Sequence, residues 1–182
     1  MRFKIKKLTL KYAYLSLEKE EIEEICSSVE GEMRSYLDEH YPEHYQAYFG
    51  LQTKNQTEDN PHKENQPVPK IKNKDLKTLY RKIASKIHPD KDRGDGDLFS
   101  KAAKAYSESD IGKLLEIAGT IGIEIQELSQ KTIILLDKNI DDLEKEIKSK
   151  KQTSAWLWAQ AKSNSEKDEI IQYILNKKGD IQ

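Results

Sequence analysis

Cysteine is almost missing from this chain. Cys26 is the only one in 182 residues, which excludes an internal disulfide and any zinc site built on several thiolates. On a helix it reads as a small apolar filler. Glycine and proline are scarce too, at 8 and 5 residues, and the prolines at 61, 67 and 69 fall in one stretch, so most of the chain is free to be helical. No apolar run approaches the length of a membrane span, and Met1-Arg2-Phe3-Lys4 has no signal-peptide pattern. The expected setting is the cytoplasm, away from membranes. No catalytic set emerges either: there is no phosphate-cradling Gly-rich loop, no serine or cysteine nucleophile beside a base, and no carboxylate cluster in a pocket-forming context. The chain is therefore expected to be no enzyme and to carry no cofactor or metal.

What the chain has in quantity is charge. Charged residues make up 35% against 36% for the hydrophobic set, a balance that suits long exposed helices better than a thick globule and points to a mainly α fold. The net charge of −1 hides an asymmetry. Glu18 to Glu43 holds ten carboxylates against Lys19 and Arg34, whereas Lys70 to Arg93 holds nine Lys or Arg against Asp75, Asp90 and Asp92. Such polarity steers a basic segment towards an acidic partner surface, or lets the acidic segment shield the basic one within the molecule.

Along the chain, Arg2 to Tyr14 alternates roughly, with Phe3 and Ile5, then Leu8, Leu10 and Tyr12 on matching sides, which reads as a short N-terminal strand or hairpin. Ser16 is positioned to cap the following acidic helix, whose stripe of Leu15, Ile22, Ile25, Val29, Met33 and Tyr36 ends near His40, ahead of Pro42. The aromatic run of Tyr36, Tyr41, Tyr45, Tyr48 and Phe49 reads as a cap over a core. His40 and His44 lie four apart, but Pro42 between them disturbs the helical geometry that metal binding at this spacing needs. This N-terminal arm, 1–50, is followed by a polar linker over 51–73 with no apolar periodicity.

From Leu76 to Ile87 the apolar residues Leu76, Leu79, Tyr80, Ile83, Ala84 and Ile87 recur at helical spacing, and Lys77, Arg81, Lys82 and Lys86 make the opposite face basic. Asp75 suits the first turn, and Pro89 ends the helix at Ile87 or His88. After the turn signal Gly94-Asp95-Gly96, with Asp97 as an expected N-cap, Phe99, Ala102, Ala103, Ala105 and Tyr106 form a second amphipathic helix. The product is an antiparallel hairpin over 74–110 whose loop carries His88, Pro89, Asp90 and Lys91.

These residues resemble the J-domain of the DnaJ co-chaperone family, through Leu76, Lys77, Tyr80, Arg81, Lys82, Ile83, Ala84 and Lys86, then His88-Pro89-Asp90 with Lys91, then Phe99, Ala102, Ala105 and Tyr106. The family's first helix, its Gly/Phe-rich linker and its cysteine-rich region have no counterpart here. The resemblance implies a co-chaperone that docks on the ATP form of a 70-kDa heat-shock chaperone, stimulates its ATP hydrolysis and so delivers it to a client protein. His88, Pro89 and Asp90 would then be the trigger, and Lys77, Tyr80, Arg81, Lys82 and Lys91 the docking face.

The remainder, 111–182, reads as a helical region. Ser109 or Asp110 caps a helix with Ile111, Leu114, Leu115 and Ile117, which Gly119 and Gly122 break. From about Glu124 a longer helix carries Ile133, Leu136, Ile140, Leu143 and Ile147, a short coiled-coil seam for the N-terminal helix or for a homodimer. Trp156 and Trp158 point to different sides of a helix, and Ser165 with Asp168 is a weak capping box for the last one. Two other function classes fit the same residues. One is a helical scaffold or assembly protein that keeps the hairpin only for shape. The other is nucleic-acid binding through the basic helix, against which the acidic helix and the near-neutral net charge count.

Overall fold

In the computed structural model the described residues are 2–44, 73–90, 94–125 and 127–179, and the protein is mainly α. Among the described residues the helices are α1 (Arg2–His40), α2 (Lys74–Ile87), α3 (Gly96–Ser107), α4 (Ile111–Thr120), α5 (Gln130–Lys150), α6 (Ser154–Gln160) and α7 (Asn164–Gly179). The chain forms two compact units, Met1–Glu18 with Asn65–Glu146, and Lys19–Glu64 with Ile147–Gln182. The expected linker over 51–73 lies outside the described residues except for Asn73.

The expected N-terminal strand is a helix. Residues 2–14 are the first turns of α1, which runs unbroken through Ser16 instead of starting there. The reason is a second reading of the same residues: Ile5, Leu8, Tyr12, Leu15, Ile22, Cys26, Val29, Met33 and Tyr36 fit one ladder of alternating three- and four-residue steps, with Lys19 at its missing rung. Ile5, Tyr12, Leu15 and Ile22 are all buried, whereas Phe3 and Leu10, which made the segment look alternating, are exposed.

In the first unit, α2, α3 and α4 pack on one another. Leu76, Leu79, Ile83 and Ile87 form the buried face of α2, Ala102 and Ala105 that of α3, and the small alanines allow close approach. Tyr80 stacks on Tyr106 with ring centroids 4.6 Å apart, and His88 meets Phe99 edge-on at 5.1 Å, so α2 and α3 run antiparallel. Asp95, not Asp97, is the N-cap of α3, accepting from Leu98 N–H at 2.9 Å. Asp110 caps α4, and the chain leaves that helix through Gly122 at φ +66°, a left-handed conformation that suits glycine.

The part of α1 in this unit is its basic beginning, as far as Glu18. Tyr12 donates to the Asp110 carboxylate at 2.7 Å, and its ring lies where a Cβ on Gly112 would stand. Helix α5 starts at Gln130, later than Glu124, because Ser129 and Thr132 are tied to α2: Ser129 N–H and the Thr132 hydroxyl donate to Asp75 at 2.8 and 2.6 Å. Its seam residues Ile133, Leu136, Ile140, Leu143 and Ile147 are buried within the chain.

In the second unit, Leu37, Trp158 and Ile171 form a core ringed by Val29, Met33, Tyr36, Tyr41, Ile170 and Ile174. Tyr36 and Tyr41 thus cap a core, and both hydroxyls donate to Asp168 at 2.9 Å. Tyr45, Tyr48 and Phe49 lie outside the described residues. The capping box of α7 sits two residues earlier than expected, with Glu166 N–H bonded to the Ser163 hydroxyl and the Glu166 carboxylate accepting from Lys162 N–H. Asp168 is left for the two tyrosines.

Candidate partner-binding site

The candidate site is the outer side of α2 and the loop that ends it. Asn73 caps α2 by accepting from Asp75 and Leu76 N–H at 3.0 and 3.3 Å, and Asn73 also donates to Thr132 at 3.0 Å. Burial works against ionisation of Asp75, but the hydrogen bonds from Ser129 and Thr132 outweigh it and hold the carboxyl below its usual range. The N-terminal end of the helix is therefore anchored, and the residues that project from its far side are held in a fixed direction.

Lys77 and Arg81 lie one turn apart on that far side, and both are exposed. Tyr80 is half-buried under its stack with Tyr106. The other two cations of the sequence's basic face go elsewhere. Lys82 stands about 140° around the helix from Lys77, on the rim of a cavity of about 150 Å³ shared with Asp75, Glu124 and Glu127. Lys86 donates to the carbonyl of Ile121 at the C-terminal end of α4, where a cation offsets the helix dipole. The basic surface is thus narrower than the sequence suggests.

The loop follows directly. Helix α2 stops at Ile87, His88 takes φ −56° and ψ 132°, and Pro89 excludes a further helical turn. Asp95 N–H returns to the Ile87 carbonyl at 3.2 Å and closes the loop. Gly94 passes against its backbone: a Cβ there would overlap the His88 carbonyl oxygen and approach Pro89 Cα to 2.7 Å. Close approach requires glycine at this position. His88 leans on Phe99, and its Nδ1 lies 3.3 Å from Asp90 N and 3.4 Å from Asp90 Oδ2. The Asp90 side chain is 87% exposed and that of His88 43%. The loop therefore offers a carboxylate to solvent from a backbone held on three sides.

Six of the expected contact residues, Lys77, Tyr80, Arg81, His88, Pro89 and Asp90, lie along α2 and the loop that ends it; Lys82 is turned aside, and Lys91 lies outside the described residues. Sequence reasoning missed Gly94, whose only signal was a turn tripeptide, and the capping work of Lys86, which had no local signal. Among the described residues no three His, Cys, Asp or Glu side chains converge where a metal could sit, and no helix is long and apolar enough to cross a membrane. No family model, no curated protein and no solved structure matches the chain significantly.

Proposed function

We propose that this protein is a J-domain-like co-chaperone: it docks the Lys77 and Arg81 side of α2 on an acidic surface of a 70-kDa heat-shock chaperone, and its 88–90 loop stimulates ATP hydrolysis there. The observation that carries this reading is the placement of an exposed, tightly closed His88-Pro89-Asp90 loop at the end of a helix whose exposed Lys77 and Arg81 line its outer side. A rigid cationic helix meeting an acidic groove gives fast, weak, salt-sensitive binding. Asp90 then competes for a cation in the partner, shifting that protein towards its hydrolysis-competent state. The remaining helices present the chaperone to a client.

The test is single-turnover ATP hydrolysis by a host 70-kDa chaperone with this protein or its His88→Gln variant. Stimulation by the parent that the variant loses supports the reading. A folded parent that stimulates none of several chaperones overturns it. The scaffold reading then stands in its place, because it keeps the hairpin for shape alone.

A further inference from the structure

Helix α1 carries two ladders of heptad spacing on opposite sides. The ladder through Ile5, Tyr12, Leu15 and Ile22 is buried. The other runs Phe3, Lys7, Leu10, Tyr14, Leu17, Glu21 and Glu24 in alternating steps of four and three. Its four apolar members lie within about 60° of one another and span about 21 Å. They are bare: Phe3 is 90% exposed, Leu10 60%, Tyr14 66% and Leu17 66%. An isolated exposed leucine needs no explanation, but a line of four large apolar groups at coiled-coil spacing is a docking surface without its occupant.

We propose that this occupant is the same ladder of a second copy of the chain, running antiparallel. Charge selects it. The ladder is basic at one end, where Lys4, Lys6 and Lys7 are exposed, and acidic at the other, where Glu18, Glu20, Glu21 and Glu24 follow Leu17. A parallel pair sets Lys7 on Lys7 and Glu21 on Glu21, whereas an antiparallel pair sets each basic end on an acidic one. The register that lays Leu10 on Tyr14 of the second copy also lays Lys7 on Leu17 and Phe3 on Glu21. Lys4 and Lys6 then fall beside Glu18 and Glu20 of the second copy. Leu10 also lines an open cavity of about 580 Å³ with Ile5, Thr9 and Ile125, within reach of the Tyr14 ring opposite it. The contact is self-complementary about a twofold axis, the commonest way for identical chains to associate. An anionic lipid surface fits less well, because the same face turns acidic from Glu21 onward. A single helix pair is a small interface, so the dimer is reversible.

The experiment is sedimentation equilibrium across a wide concentration range. The parent is expected to move from 21.1 kDa towards twice that mass as concentration rises. Leu10→Ser with Tyr14→Ser, at exposed positions, should leave helicity intact and hold the mass at one chain. Two charge variants test the register: Lys4→Glu with Lys6→Glu, and Glu18→Lys with Glu20→Lys. Each alone should be monomeric, and their mixture should dimerise. A parent that stays monomeric, or variants that associate like the parent, would overturn the proposal. So would a monomeric parent that co-sediments with phosphatidylserine vesicles, which would assign the stripe to lipid.

Discussion

Single side chains decide the candidate site most sharply at Gly94 and around Asp75. Gly94 cannot gain a methyl group without displacing the His88 and Pro89 backbone, since neither contact is a flexible side-chain tip. On the proposed reading, Gly94→Ala should keep the helical circular dichroism of the parent yet cut stimulation of the chaperone about tenfold or more, because the groups proposed to touch the partner are displaced. Asp75 links α2 to Ser129 and Thr132, and Thr132 is fully buried. Thr132→Val removes one of the two donors to Asp75 and the acceptor of the Asn73 amide, and should cost about 1–3 kcal/mol in urea unfolding at neutral pH. Because the folded-state pKa of Asp75 is lowered, its contribution is fully present above the unfolded value of about 3.9 and is lost as pH falls through the lower folded value. Asp75→Asn should therefore lose stability at neutral pH and show a flatter acid limb than the parent. The place of Asp75 in the first turn of a basic amphipathic helix was legible. Its ties to Ser129 and Thr132, more than fifty residues on, were not, because no periodicity relates the two segments.

At the scale of elements, α2 and α3 were legible to within a residue or two, since strong amphipathic periodicity coincides there with Pro89 as a stop and Gly-Asp-Gly as a turn. The start of α1 was not. A helix with apolar groups on two opposite sides mimics the alternation of a strand over a dozen residues, and only the longer ladder from Ile5 to Tyr36 reveals its period. Helix α5 shows the converse: its seam was readable, but what covers it was not. Ile133, Leu136 and Ile140 are buried within the chain, so Leu136→Ala opens a cavity in the unit that holds the hairpin and should cost about 2–5 kcal/mol by chemical denaturation. If that seam instead served mainly to join two chains, the loss would depend on protein concentration.

For the whole molecule, the separation of charge is the property that reaches furthest. On the proposed reading, the exposed cations on the outer side of α2, Lys77 and Arg81, should make chaperone stimulation fall with added salt, and Lys77→Glu with Arg81→Glu should abolish the salt dependence together with most of the stimulation. Titrating stimulation against ionic strength for both proteins checks this. Lys86, bonded to Ile121, should matter to stability rather than to docking. By itself the sequence determined that the protein is mainly α, that a hairpin carries His88-Pro89-Asp90 at its loop, and that cations and carboxylates are kept in separate segments. These follow from local periodicity, turn chemistry and charge, which neighbouring residues express together. Tertiary structure alone decided which cations remain on the surface, which glycine closes the loop, and how the chain divides. The division between the two units falls within α1 and again within α5, and although α1 turns from basic to acidic there, neither helix is interrupted. A helix continues unbroken where its packing partners change, because the choice of partner is made by side chains far away in the chain.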